Sequence, residues 1–220
     1  SIIAAQMTTR LQTQMQRSTN ISFNQQAYWY ALGAEAFSKR VLIKAFKDEP
    51  DVTHLEQIWA TEGNNYPVDF GEITGEISDL QSCLNLNALR APLKNNNSGG
   101  NNVKENKVPA RLAFEALLIN LQIDDVSQFE AESMADALTD WLDDNSSISS
   151  SGGAEDNDYA SKEFPYLAAN HYLASVNELR VVEHFTPNVI EKIKPYVCVI
   201  PATDMHKINI NTLNSEHVEL

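Results

Sequence analysis

The first fifty residues constrain the fold more than any other stretch of the chain. Ile3, Met7, Leu11 and Met15 recur at every fourth position with polar segments between them, the spacing of one stripe along an α-helix. "FNQQAYWYALGAEAFSKRVLIKAF" continues in residues that favour helix, with Trp29, Gly33 and Phe37 on one face and Tyr28, Leu32 and Ala36 on another. "KDEP" ends the run, because Pro50 has no N–H to give to the ladder. So long a helix with so narrow an apolar stripe needs a sheet or neighbouring helices to lay it against. A core helix and a filament-forming helix read alike at this level.

"YPVDFGEITGEISDLQSCLNLNAL" changes the period. Val68 and Phe70 alternate with polar residues, Ile73 and Ile77 follow at wider spacing, and Gly71 and Gly75 punctuate, which predicts a strand pair or hairpin. "LKNNNSGGNNVKENK", Leu93 to Lys107, lacks the apolar content that would offset the entropy of ordering and reads as a linker. Beyond it the pattern is helical again. "VPARLAFEALLINLQI" offers Phe114, Leu117, Leu118 and Leu121, with Leu112, Ala116 and Ile119 beside them. "SQFEAESMADALTDWLDD" opens on Ser127 as N-cap with Glu130 three residues on, and its predicted face is Phe129, Met134, Ala137, Leu138, Trp141 and Leu142. Two short helices follow, started by Ser175 with Glu178 and by Thr186 with Pro187. "KININTLNSEHVEL" offers one more, with Thr212 or Asn214 as its cap. The reading is α+β: a helix and strands over 1–93, a flexible linker over 94–107, and a helical domain over 108–220.

Charge narrows function. Lys plus Arg number 16 against 30 Asp plus Glu, for a formal net charge of -14. Nucleic-acid binding draws its affinity from basic groups on phosphate, so this balance argues against it. The paired helices around "VVEHFTP" resemble a helix-hairpin-helix in outline, and a nucleic-acid-binding module is the alternative reading. The hinge Glu183-His184-Phe185-Thr186 lacks the glycine such a module uses and has an acid in front. No apolar run of about 18 residues occurs. His54, His171, His184, His206 and His217 show no metal-ligand spacing, and no nucleophile elbow, P-loop or dinucleotide fingerprint is present. Cys83 and Cys198 form one bridge or are two buried small hydrophobes; composition leaves both open.

Between Leu121 and Glu163 stand twelve acids, and within that window only Lys162 answers them. Asp140 and Asp143 share a face at the end of a helix, against the negative end of its dipole. Gly152 and Gly153 permit a tight turn that returns Glu155, Asp156 and Asp158 towards them. Hard oxygen ligands from two short segments suit Ca²⁺, which accepts six to eight oxygens in loose geometry. The loop is not an EF-hand, since Ile148 or Ser149 falls on the glycine position in either register. A bespoke calcium site and a solvated acidic loop both fit.

Several separated motifs agree in order: "QAYWYALGAEAF", "GEISDLQSCLNLNAL", "DWLDDN", "GGAEDNDY", "YLAANHYLASVNELRVVEHFTP" and "PYVCVIPAT". Together they resemble the K-type minor pseudopilins of type II secretion systems, from about Asn24 to the end. The resemblance implies a pilin-like N-terminal helix packed on a small antiparallel sheet, with a large inserted all-α domain of SAM-like or helix-hairpin-helix-like form. It implies a non-enzymatic subunit at the tip of the periplasmic pseudopilus, joined to I- and J-type minor pseudopilins and anchored in the inner membrane by a segment upstream. It also implies family strands and helices beyond the last residue. By position it implies calcium ligands at Asp140, Asp143, Asn145, Glu155, Asp156 and Asp158; many relatives carry an acid where Asn145 stands, and an amide oxygen also ligates calcium. It implies a Cys83–Cys198 disulfide tying the sheet side to the helical side.

Overall fold

A computed structural model describes residues 2–61, 65–91 and 107–214. The chain forms two compact units, Ser1–Ser78 and Asp79–Leu220. The division falls before the "CLNLN" segment, whereas the sequence suggests a break at the asparagine-rich stretch. Residues 79–91 belong with the helical unit because Leu84, Leu86, Ala88 and Leu89 are all buried in its core. The expected linker, 94–107, lies outside the described residues except for Lys107.

The first unit is helix α1 (Ile2–Asp48) with an antiparallel hairpin, β1 (Asn65–Val68) and β2 (Gly71–Thr74). The face of α1 with least exposure is not the Trp29–Phe37 stripe. It is Gln26, Tyr30, Ala34, Ser38, Val41 and Ala45, small or polar residues spaced three and four apart. Small side chains let other backbone come close, and a cavity of about 300 Å³ remains, lined by Gly33, Val41, Trp59, Tyr66 and Ile73 among others. Trp29 is 68% exposed and Phe70 92%. The expected alternation of Val68 and Phe70 therefore fails: Val68 ends β1 and Phe70 sits in the turn. Among the described residues, no helix is long and apolar enough to cross a membrane.

The second unit packs helices around a two-residue parallel pair, β3 (Leu84–Asn85) with β4 (Val197–Cys198). Its helices are α2 (Pro109–Asn120), α3 (Gln128–Leu142), α4 (Asp156–Ala160) and α5 (Pro187–Ile193). Val176–Val181 is a 3-10 turn, tighter than the α-helix the sequence suggests, though Ser175 with Glu178 caps it as expected. Ser127 and Thr186 likewise cap α3 and α5. Phe114, Leu117, Leu118, Met134, Leu138 and Leu142 form the centre of the core. Phe129, expected on the buried face of α3, is 67% exposed instead. It lies in the first turn, ahead of the segment where α3 packs on its neighbours. Any helix beginning at Thr212 or Asn214 would lie largely outside the described residues.

Cys83 and Cys198 form a disulfide beside the β3–β4 pair, with Cα atoms 5.7 Å apart. Both belong to the second unit, so the bridge closes that unit on itself and does not join two domains. Two buried amides do the same work without covalency. Asn87, wholly buried, donates to Leu173 O at 3.1 Å and Ile200 O at 3.0 Å, and accepts from Leu173 N–H at 2.8 Å. Asn85 accepts from Ile200 N–H at 3.1 Å and donates to Thr203 O at 3.1 Å. Replacing Asn87 by Ala should destabilise the unit by about 3 kcal/mol, because it takes this partner from the buried N–H and C=O of Leu173 and from the partly buried C=O of Ile200. Urea denaturation measures this; a loss below about 1 kcal/mol would mean that water satisfies those groups.

Candidate functional site

The acidic segment resolves into groups with different fates. Several of its acids are answered by cations outside the window in which Lys162 stood alone. Arg111 on α2 pairs with Asp136 and, at 2.8 Å, with Glu115. Lys107 reaches Glu115 at 2.9 Å and Glu132 at 3.5 Å, and Arg90 approaches Asp144 at 3.7 Å. Lys162 itself pairs with Glu183, at 2.5 Å. Among the described ion pairs, none reaches Asp140, Asp143 or Glu155.

Those three converge. Asp140 lies on the last turn of α3, Asp143 caps its C-terminus, and Glu155 precedes α4. Each offers a carboxylate oxygen, and the three oxygens lie within 4.8 Å of one another. Asp140 and Glu155 are buried and Asp143 is half-buried. Ser149 N–H donates to both oxygens of Asp140, at 3.2 and 3.3 Å. Asp143 accepts from Asn145 N–H at 2.9 Å. Neither oxygen of Glu155 makes a hydrogen bond of good geometry among the described residues, although the N–H groups of Asp156 and Asp158 at the start of α4 turn towards its carboxylate.

That arrangement is electrostatically costly as it stands. Burial, then the charges of Asp140 and Asp143, pushes the Glu155 carboxyl up to about 7. Burial is also the main cause that raises Asp140, with Asp143 and Asp136 adding to it. A buried carboxylate with so little hydrogen bonding beside two more of like sign is stable as an ion only if a positive charge joins it. The donor set is all oxygen, the preference of a hard divalent cation.

The two glycines serve this site by proximity. A Cβ on Gly153 would overlap Asp140 Oδ2, and one on Gly152 would stand 2.5 Å from Ser133 Cα on α3. The loop thus lies flat on α3 and holds Asp140 beneath it. His184 fastens it from the other side, its Nε2 3.1 Å from Gly152 O. His184 takes the left-handed backbone (φ 69) at the hinge where a helix-hairpin-helix would carry glycine. The hairpin hinge therefore faces the acidic loop.

The other three predicted ligands have local duties. Asp158 accepts from Glu155 N–H at 2.9 Å and Asp156 from Ala168 N–H at 3.0 Å. Asn145 accepts from Ser147 N–H at 2.8 Å. Asp156 and Asp158 are not in the convergent group; they shape the segment that delivers Glu155. Sequence reading missed Ser149, whose amide orients Asp140, and His184. A serine-rich loop gives no signal for a backbone donor, and a histidine without ligand spacing gives none for a loop contact.

Known proteins match this architecture. The family described as type II secretion system (T2SS), protein K, matches residues 82–202, a span that includes both cysteines and all six predicted ligands. Type II secretion system protein K of Aeromonas hydrophila is 42% identical over 219 residues, covering 100% of this chain and 64% of its own length. Its counterpart in Pectobacterium carotovorum subsp. carotovorum is 37% identical over 211 residues, covering 96% and 61% respectively. This chain therefore spans less than two thirds of those relatives. Among solved structures, a chain in the crystal structure of the GspK-GspI-GspJ complex from the enterotoxigenic Escherichia coli type 2 secretion system superposes with a TM-score of 0.81. It is 33% identical, and the match covers 92% of this chain and 67% of that one.

Proposed function

The chain belongs to the type II secretion system protein K family, and from that premise we propose that it is a minor pseudopilin acting at the tip of the pseudopilus, in complex with I- and J-type minor pseudopilins. Its mechanism is contact and shape, without catalysis: α1 lies beside partner helices, and the bulky second unit limits addition of further subunits. It faces the periplasm, anchored in the inner membrane. The observation that carries this reading is the likeness, across 92% of the chain, to a protein solved in complex with GspI and GspJ. The exposed apolar residues of α1 support it, since Met7, Leu11, Met15 and Trp29 are all more than 60% exposed.

We further propose that the second unit binds Ca²⁺ through Asp140, Asp143 and Glu155, with Asn145, Asp156 and Asp158 as the remaining candidates. The sparsely bonded oxygens of Glu155 fit a cation of this kind. Its charge would let the three acids ionise together and hold α3 to the start of α4. Mixing the chain with candidate I- and J-type subunits tests the assembly reading by size-exclusion chromatography with light scattering. A complex containing one of each is expected. Elution of the chain alone from every mixture would contradict it.

A further inference from the structure

The acidic loop is held from two sides, and one of them belongs to the hairpin. On the α3 side Gly152 lies on Ser133 and Gly153 on Asp140, too close for a Cβ at either position. On the other side Gly152 O meets His184 Nε2 at 3.1 Å, across 32 residues of sequence. A carbonyl can only accept, so the proton of this contact sits on Nε2 whichever charge the ring carries. His184 makes it from a backbone of φ 69, a left-handed conformation that a side chain of this size keeps only where its surroundings impose it.

The segment that delivers Glu155 meets the same hinge twice more. Tyr159, wholly buried on α4, accepts from Glu183 N–H at 3.3 Å, and Lys162 pairs with Glu183 at 2.5 Å. The Tyr159 ring packs edge-on against Trp141, the neighbour of Asp140, with centroids 5.1 Å apart. Glu183 and His184 therefore grip this chain ahead of Glu155, at Gly152, and beyond it, at Tyr159 and Lys162. That grip opposes the mutual repulsion of Asp140, Asp143 and Glu155, which would otherwise drive the loop off α3. Contacts that orient ligands from behind raise metal affinity, because a preassembled site needs less ordering when the ion arrives.

We propose that His184 is a positioning residue of the calcium site: through Gly152 it holds Glu155 opposite Asp140 and Asp143, and the bound ion in turn fixes the hairpin hinge. This rests on the calcium reading above. Coupling between two places is reciprocal, so the factor by which the hinge contact raises calcium affinity is the factor by which calcium steadies the hinge.

Calcium chloride titrated calorimetrically into the unaltered chain and two variants tests this, with hydrogen exchange at the Glu183 amide as a second readout. Asn accepts left-handed backbone but places its amide where the ring has Nδ1, whereas the Gln amide reaches the place of Nε2. His184→Asn is therefore expected to bind calcium about 10-fold more weakly, and His184→Gln within about twofold of the unaltered chain. The metal-free melting temperature of His184→Asn should fall by no more than about 3 °C, the scale of one net hydrogen bond. In the unaltered chain, calcium should slow exchange at Glu183 by about 10-fold. A lower melting temperature for His184→Asn with unchanged calcium affinity would overturn the proposal. So would an equal loss of affinity in both variants, which would assign the effect to the packing of the ring and not to its donor. Unchanged exchange at Glu183 on adding calcium would overturn it without any variant. Failure of the unaltered chain to bind calcium would instead overturn the calcium reading, and this inference with it.

Discussion

Removing calcium with EGTA is expected to lower the melting temperature of the second unit by about 8 °C relative to a solution holding calcium at 100 times its dissociation constant. Mass action at that excess stabilises by about 2.7 kcal/mol, and a unit of this size shifts by about 3 °C per kcal/mol. The pH dependence gives the prediction a sign. In the ion-free protein Glu155 titrates at about 7 when folded against 4.5 unfolded, so the folded state holds that proton more tightly. Stability from this group is full below pH 4.5 and is lost as pH rises through 7. Calcium competes with the same proton, so its affinity climbs over that window. The gap between the calcium-loaded and ion-free melting temperatures should therefore widen between pH 5 and 8. A gap that is constant or narrows would place the bound ion elsewhere. Glu155→Gln should shrink the widening to what Asp140 contributes, because an amide has no proton to surrender at that position.

Replacing both cysteines by serine is expected to cost the second unit about 5 kcal/mol, since the bridge closes a loop of 115 residues in the unfolded chain. The effect should be local in the native state as well. The bridge flanks β3 and β4, where Leu84 N–H donates to Tyr196 O at 2.9 Å and Ile200 N–H to Asn85 at 3.1 Å. Those two amides should lose hydrogen-exchange protection first, while α3 keeps its own. Guanidinium melts of oxidised and serine-substituted protein measure the total. A difference under about 1 kcal/mol would show that the buried Asn85 and Asn87 contacts close the unit unaided.

Local signals in the sequence translated well. The caps at Ser127, Ser175 and Thr186, the stop after Asp48 and the helical cores of α2 and α3 all follow from spacing and side-chain chemistry within a few residues. Signals that depend on distant partners did not. Leu84 lies at the end of the segment that reads as a strand pair or hairpin, but its strand partner is Val197, more than a hundred residues on. The charge window around Lys162 hid Lys107 and Arg111, because α2 and the residues just ahead of it bring them to Glu132 and Asp136. Phe70 reads as an inward strand position until the turn is known to fall on it. The candidate metal site was legible as two acidic segments joined by glycines. That Glu155 would be the buried, sparsely bonded member was not, since it depends on how tightly Gly153 lies against Asp140.

The central claim is that one bound cation neutralises Asp140, Asp143 and Glu155 and thereby holds the loop to α3. Crystals grown in millimolar calcium, with diffraction collected at a long wavelength where calcium scatters anomalously, test it most directly. The account predicts an anomalous peak among those three carboxylates, with ligand distances of about 2.3–2.6 Å. Density there that shows no anomalous signal and refines as water would contradict it.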